Sequence, residues 1–411
     1  MSLRDDLNLP EALFREVTDA YRREPRGRYE SSPAEVIAPR DVEEVSAIVR
    51  RCAALGVPIV PYGGGTGLVG GQIAMGAGAV VLSLERMSAI RAVYPQENVM
   101  VVEAGAVLNN VRAAAEAEGR LFPLSLASEG SARIGGLLAT NAGGVNVLRY
   151  GNARALCLGL EVVLPSGEIW HGLTRLRKDN AGYALRDLMI GSEGTLGVIT
   201  AASLVLHPEP ASQGTAIFIV PSPAKALALL SLAREHMAEG LTAFELIHGQ
   251  SFDFLAETLP EIRLPFATAP EWCVLVDVGL PRGIDAVEAI AALYGAAEAQ
   301  GLASEGVIAN SEAERRSLWS LREHIPEANR RIGSISSHDV SLPLSCVPEF
   351  ISRGGPALEA IGEFRVNCFG HLGDGNLHYN VFPPKGRART EFEAIRDRVK
   401  QTVHDLADAL D

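Results

Sequence analysis

Apolar positions recur along this chain in two rhythms. From Ala34 to about Pro210, short apolar runs alternate with helical spacing and with dense glycine loops. The run VIAP predicts a strand, and 41–55 predicts a helix with Val42, Val45, Ile48 and Val49 on one face. Asp41 suits its N-cap and Gly56 its C-terminal stop. VPIVP, AVVLSL and VMVVEAG predict strands, 108–118 a helix, and LEVVLP with EIWHGL a hairpin over Pro165-Ser166-Gly167. Residues 7–30 read first as a helix and then turn basic, as a lead-in would. Past 210 the glycines thin out. A strand over 215–220, a helix over 222–238, a strand over 272–279 and helices over 284–300 and from Arg389 are expected. His207-Pro208-Glu209-Pro210 breaks helix and sheet alike. The pattern divides the chain into a lead-in (1–30), a glycine-rich domain (31–210) and a second, α+β domain (211–411).

Composition narrows the field. The 411 residues are 47% hydrophobic and 21% charged, with a formal charge of −13. That is globular, and too acidic for nucleic acid or anionic lipid. The start MSLRDDLNLP lacks the apolar core of a signal peptide, and no apolar run is long enough to span a bilayer. Five widely spaced cysteines without a CxxC pair predict reduced, mostly buried thiols and a cytoplasmic protein.

The 41 glycines are bunched. Gly65-Thr66-Gly67-Leu68-Val69-Gly70 fits GxGxxG after a strand, and Glu85 lies where a dinucleotide fold would hold a ribose. A dinucleotide loop must open a helix, however. Here Gly70, Gly71, Gly76 and Gly78 follow, each costing a helix about 1 kcal/mol. NAD binding is therefore rejected, and no Lys follows to make a P-loop. What remains is a nest of backbone N–H groups able to take an anion, or a glycine-rich turn with no ligand.

Three stretches then become recognisable together: PYGGGTGLVGG, GSARIGGLLATNAGGVNVLRYGN and GSEGTLGVIT. In order and spacing the chain resembles the vanillyl-alcohol-oxidase-type FAD flavoproteins. DVSLP at 339–343 and GHLGDGNLH at 370–378 resemble the branch of D-2-hydroxyglutarate, D-lactate and glycolate dehydrogenases. The resemblance implies an α+β fold: a two-subdomain PCMH-type FAD-binding domain, then an α+β substrate (cap) domain with an antiparallel sheet. It implies that Gly63, Gly64, Gly65, Thr66, Gly67 and Leu68 hold the FAD pyrophosphate. Ser131, Gly135, Thr140, Asn141 and Gly144 would line the flavin and ribityl chain, and Glu193, Gly194 and Ile199 the adenosine and ring edges. Asn376 is grouped with these cofactor residues. Some relatives attach FAD through a loop His; none lies between Gly63 and Gly71, so noncovalent FAD is expected.

GHLGDGNLHYNV carries the second chemistry. His378, Asn380 and Phe382 share a strand face, and the Gly373-Asp374-Gly375 bend can return His371 to it. Two imidazoles suit a divalent metal, zinc first, but zinc takes three or four ligands. The plain alternative is one buried His paired with Asp374 and one surface His. The resemblance favours metal, because relatives use these histidines plus a later Glu. It also assigns Arg322 to the substrate carboxylate; by itself Arg322 reads as a surface side chain paired with Glu323 or Glu327. His371, His378, Arg322 and Asn380 are thus the catalytic candidates, with His371 and His378 as metal ligands.

Two departures matter. Where relatives carry a Lys before the HD or YD pair, this chain has Ser337 before His338 and Asp339, which favours a monoacid over a diacid. Relatives also continue into a GSxSAEHGIG-like segment that supplies the Glu ligand and a His base. Reading to Asp411 stops short of it, so the 411-residue form is expected to have an open metal site and little activity. Its base would otherwise be sought among His338, His371 and His378, while His404 reads as a surface residue. The function expected is FAD-dependent oxidation of a D-2-hydroxy acid, with electrons passed to a soluble carrier or quinone-linked protein. The alternative is a noncatalytic or incomplete FAD-binding protein or subunit of the same fold; GHLGDGNLH argues against an alditol oxidase. A homodimer is admitted, with nothing in the sequence that requires it.

Overall fold

A computed structural model describes residues 2–76 and 78–410. The chain divides into two compact units. One is formed by 1–146 and 150–209, the other by 147–149 and 210–411.

The first unit holds two main sheets. A four-stranded sheet runs in the order Phe14–Arg15, Glu35–Ile37, Val80–Ser83, Ile59–Tyr62; its last three strands are parallel. The helix Val42–Leu55 connects two of them. Asp41 accepts its cap bond from the Glu44 N–H at 2.8 Å, and Gly56 ends it in the left-handed region at φ 66°. Val45, Ile48, Val49 and Cys52 form its buried face. A five-stranded antiparallel sheet follows in the order Ile90–Tyr94, Val99–Glu103, Val198–Val205, Cys157–Val163, Ile169–Gly172. Residues 63–71 are bends and turns, so the GxGxxG run opens no helix.

The leading segment differs from expectation. Instead of one helix it forms the short helices Leu3–Leu7 and Asp19–Arg22, separated by a 3₁₀ turn and the edge strand Phe14–Arg15. Pro10 removes an N–H inside the expected helix, and its ring opposes the preceding turn.

The second unit is one seven-stranded antiparallel sheet. Its order is Glu305–Ile308, Ser212–Ile219, Trp272–Leu280, Leu241–His248, Arg365–His371, Asn376–Phe382, Ser336–Ser341. Alternation sends the two residue sets of each strand to opposite faces. Phe244, Leu246, Cys368, Leu377 and Tyr379 join one core with the helices Pro223–Met237, Ala286–Ala299 and Val347–Glu359. Ile247, Phe369 and Phe382 join the other, under the helices Gly249–Thr258 and Glu312–Ile332. The α+β class and the antiparallel second sheet are those expected.

Candidate active site

In the first unit a cavity is lined by Gly63, Gly64, Gly65, Thr66, Gly67, Gly135, Thr140, Glu193, Gly194 and Ile199. Backbone contact explains the glycines. A Cβ on Gly64 would overlap the Ser131 carbonyl, and Gly63 lies against Gly136, so the first two glycine loops touch main chain to main chain. Gly65, at φ 67°, leaves room for the Tyr62 hydroxyl. Gln72 braces the loop, its Nε2 donating to the Gly67 carbonyl at 2.7 Å. Glu193 holds a left-handed backbone at φ 51° and donates its N–H to Ala139. Leu68, Ser131, Asn141 and Gly144 belong to the same loops but not to the lining. Tyr62, Gln72 and Arg133 do line it and were not assigned from sequence, although Tyr62 and Arg133 lie within the quoted stretches and Gln72 directly follows one. A closely spaced main-chain cradle of this kind fits a pyrophosphate-bearing cofactor.

The second constellation lies on the sheet of the second unit. Leu372–Gly375 turns Arg365–His371 back as Asn376–Phe382, which places His371 opposite Asn376 and Phe369 opposite His378. His371 also lies opposite Glu245 on the neighbouring strand, and Asp339 opposite His378. The four side chains share one sheet face. Arg322 reaches it from the helix Glu312–Ile332, whose buried stripe is Leu318, Leu321, Arg322, Ile325 and Ala328. That spacing makes position 322 a core position.

Glu245 is the centre of the cluster. It is 1% exposed and Arg322 5%. Arg322 Nε donates to Glu245 Oε2 at 2.7 Å, and His371 Nδ1 lies 2.6 Å from Oε1. Burial pushes the Glu245 carboxyl up, but Arg322 and His371 outweigh it and hold its pKa at about 2. Burial works against charge on His371 as well, yet Glu245 raises its pKa overall. His378 Nδ1 lies 3.4 Å from Asp339 Oδ1, and the two imidazole rings are 5.4 Å apart, edge to face. Asn376 commits its Nδ2 to Asp339 Oδ1 at 2.7 Å, with Val340 and Ser341 beyond. Asn380 is buried farther along the same face.

Two readings change here. Arg322 is a buried ion-pair partner, and Glu327 bonds instead to Arg330 and Arg331. His371 pairs with Glu245, not Asp374. Sequence reasoning missed Glu245 altogether. Its signal was a lone acid inside the apolar run LTAFELI, which a buried strand tolerates only with a partner. For a metal, both histidines turn Nδ1 toward a carboxylate and leave Nε2, as metal-bound histidines commonly do. Among the described residues, however, no group of three or more His, Cys, Asp or Glu side chains is gathered as a metal site.

The comparisons agree with this anatomy. Residues 33–172 match the FAD binding domain family, and 209–410 match the C-terminal domain of FAD linked oxidases. A D-2-hydroxyglutarate dehydrogenase of Xanthomonas citri pv. viticola is 38% identical over 93% of this chain and 80% of its own. The mitochondrial D-2-hydroxyglutarate dehydrogenase of Bos taurus is 38% identical over 84% of this chain, which spans only 63% of that relative. A putative mitochondrial D-lactate dehydrogenase of Schizosaccharomyces pombe is 34% identical over 88% of this chain and 70% of its own. Among solved structures, alkyldihydroxyacetonephosphate synthase has a TM-score of 0.70 at 18% identity, covering 98% of this chain and 84% of its own. p-Cresol methylhydroxylase has 0.67 at 15%, covering 92% and 79%; both likenesses concern the fold. With the main-chain cradle and both domains matched, the chain belongs to the FAD-linked oxidases of the vanillyl-alcohol-oxidase type, in the branch of the D-2-hydroxy-acid dehydrogenases.

Proposed function

We propose that this protein oxidises a D-2-hydroxy acid to the 2-oxo acid, with noncovalent FAD. The observation that carries the reading is the buried Arg322 beside His371 and His378, in a chain whose other unit carries the flavin loops. Arg322 has its Nε committed to Glu245 and keeps its terminal amino groups for the substrate carboxylate. An imidazole Nε2, on His371 or His378, takes the hydroxyl proton. Bound FAD would supply the acceptor for the hydride on the substrate Cα, and a soluble carrier or a quinone-linked protein would be the external electron acceptor. A divalent metal would draw on the two Nε2 atoms, which are fewer ligands than zinc takes, so no step is assigned to it.

On substrate size, the names of the Xanthomonas and bovine relatives favour the diacid D-2-hydroxyglutarate. Ser337 favours a monoacid: it faces the same side as Asp339 and its hydroxyl pairs with Ser334 at 2.7 Å, where the resemblance expects a Lys. Ser337 itself offers no charge to a second carboxylate, so D-lactate or glycolate is the substrate proposed. Anaerobic bleaching of the flavin by D-lactate, glycolate, D-2-hydroxyglutarate and L-lactate tests both points. Faster bleaching by a D-monoacid is expected. Preference for D-2-hydroxyglutarate would overturn the monoacid reading, and no bleaching by any of them the reaction itself.

A further inference from the structure

The strand Leu241–His248 carries one acid, and that acid is fully committed. Glu245 gives one carboxylate oxygen to Arg322 and the other to His371. We infer that Glu245 is the positioning residue of this site: a single buried carboxylate fixes both the guanidinium and the imidazole. The inference rests on the proposed function, which places Arg322 and His371 at the substrate.

The chemistry of the donors makes the claim specific. An ionised carboxylate only accepts hydrogen bonds. A neutral His371 must therefore carry its proton on Nδ1 and present the Nε2 lone pair. Arg322 is held at Nε and stacked with its guanidinium carbon 4.9 Å from the Phe369 ring centre, so its outer edge is aimed rather than free. The second imidazole lacks an equivalent. Its carboxylate, Asp339, is 3.4 Å away, exposed, and shared with Asn376. Of the two histidines, only His371 has its tautomer set by a buried charge. Both oxygens of Glu245 are thus engaged, one on each partner.

Glu245→Gln separates orientation from simple packing. The carboxamide has the same shape, but only one end accepts. If its oxygen serves Arg322, its amino group faces His371 Nδ1, which must then give up its proton and move it to Nε2. The FAD-loaded protein, labelled with ¹⁵N-histidine and studied in mildly alkaline buffer, reads this directly, with His371 assigned by the signal lost in His371→Gln. We expect the Nδ1–H form in the parent protein, a switch to Nε2–H in Glu245→Gln, and a fall in kcat of about 10–100-fold, the scale found when the hydrogen-bond partner of a metal-ligating imidazole is removed. Glu245→Asp keeps the charge but is one methylene short of serving both partners. It should retain the Nδ1–H form or the Arg322 bond, not both, and recover part of the rate. An Nε2–H form in the parent, or an unchanged tautomer and kcat in Glu245→Gln, overturns the inference. Should Glu245→Gln fail to fold, an unchanged kcat in Glu245→Asp does the same. Arg322→Lys keeps the charge and loses the fork; if it leaves KM unmoved, the reading of Arg322 fails while the His371 tautomer result stands independently.

Discussion

At the scale of single residues, burial decides what each polar group can do. Gly64 illustrates a steric demand: a methyl group there would strike main chain at Ser131 that no rotamer can move. Gly64→Ala is expected to cost about 1–3 kcal/mol and to lower the flavin content of the purified protein, read from its visible absorbance. His338 illustrates an electrostatic one. It is 3% exposed, both ring nitrogens lack a hydrogen-bond partner among the described residues, and His404 lies edge-on at 5.3 Å. Burial, then the charges of His404 and Lys400, push its pKa from 6.5 down to about 4. The unfolded chain therefore takes up this proton more readily, so stability falls as pH drops from about 6.5 to about 4 and levels off below, by up to about 3 kcal/mol. Urea unfolding at about pH 7 and pH 4.5 should show that His338→Leu flattens this component. Residues of this kind were the least legible in sequence. Arg322 sits among Glu323 and Glu327 in the chain and reads as solvated; its burial follows from Leu318, Leu321 and Ile325 sharing its side of the helix. Glu245 gave no motif at all, because its partners lie on distant segments.

At the scale of elements, legibility followed local chemistry. The helix Val42–Leu55 was readable because cap, stop and apolar spacing all agree. The strand Leu241–His248 was not, since it is buried on both faces and so shows no apolar–polar alternation. The helix Glu312–Ile332, also unread, carries Pro326 inside it and holds its place through a second buried acid. Asp277 accepts from Thr215 Oγ1 at 2.5 Å, Trp319 Nε1 at 3.0 Å and Arg315 at 3.2 Å, tying the helix to two strands. Trp319→Phe removes one bond to a charged acceptor. It should cost about 1.5–3 kcal/mol, measured by denaturant unfolding. Because the same helix carries Arg322, a raised KM is expected as well.

At the scale of the whole molecule, the two-domain plan was legible through its glycine loops and GHLGDGNLH, while the sheet order was not. Pairings such as Leu241–His248 with Arg365–His371 leave no trace in a single sequence. Cys52, Cys157, Cys273 and Cys368 are buried, and only Cys346 is partly exposed. Burial pushes Cys52 up to about 11 and Cys157 to about 12, and Cys273 and Cys368 up as well. A thiol reagent should modify one cysteine quickly in the folded protein and all five after denaturation.

The Glu245–His371 contact joins residues 126 apart in the chain. Such a long loop must close before either partner is rewarded, and that closure entropy slows assembly. After dilution from denaturant, helical signal should therefore return first. Substrate turnover should recover last, at the rate at which the two distant strands find their register.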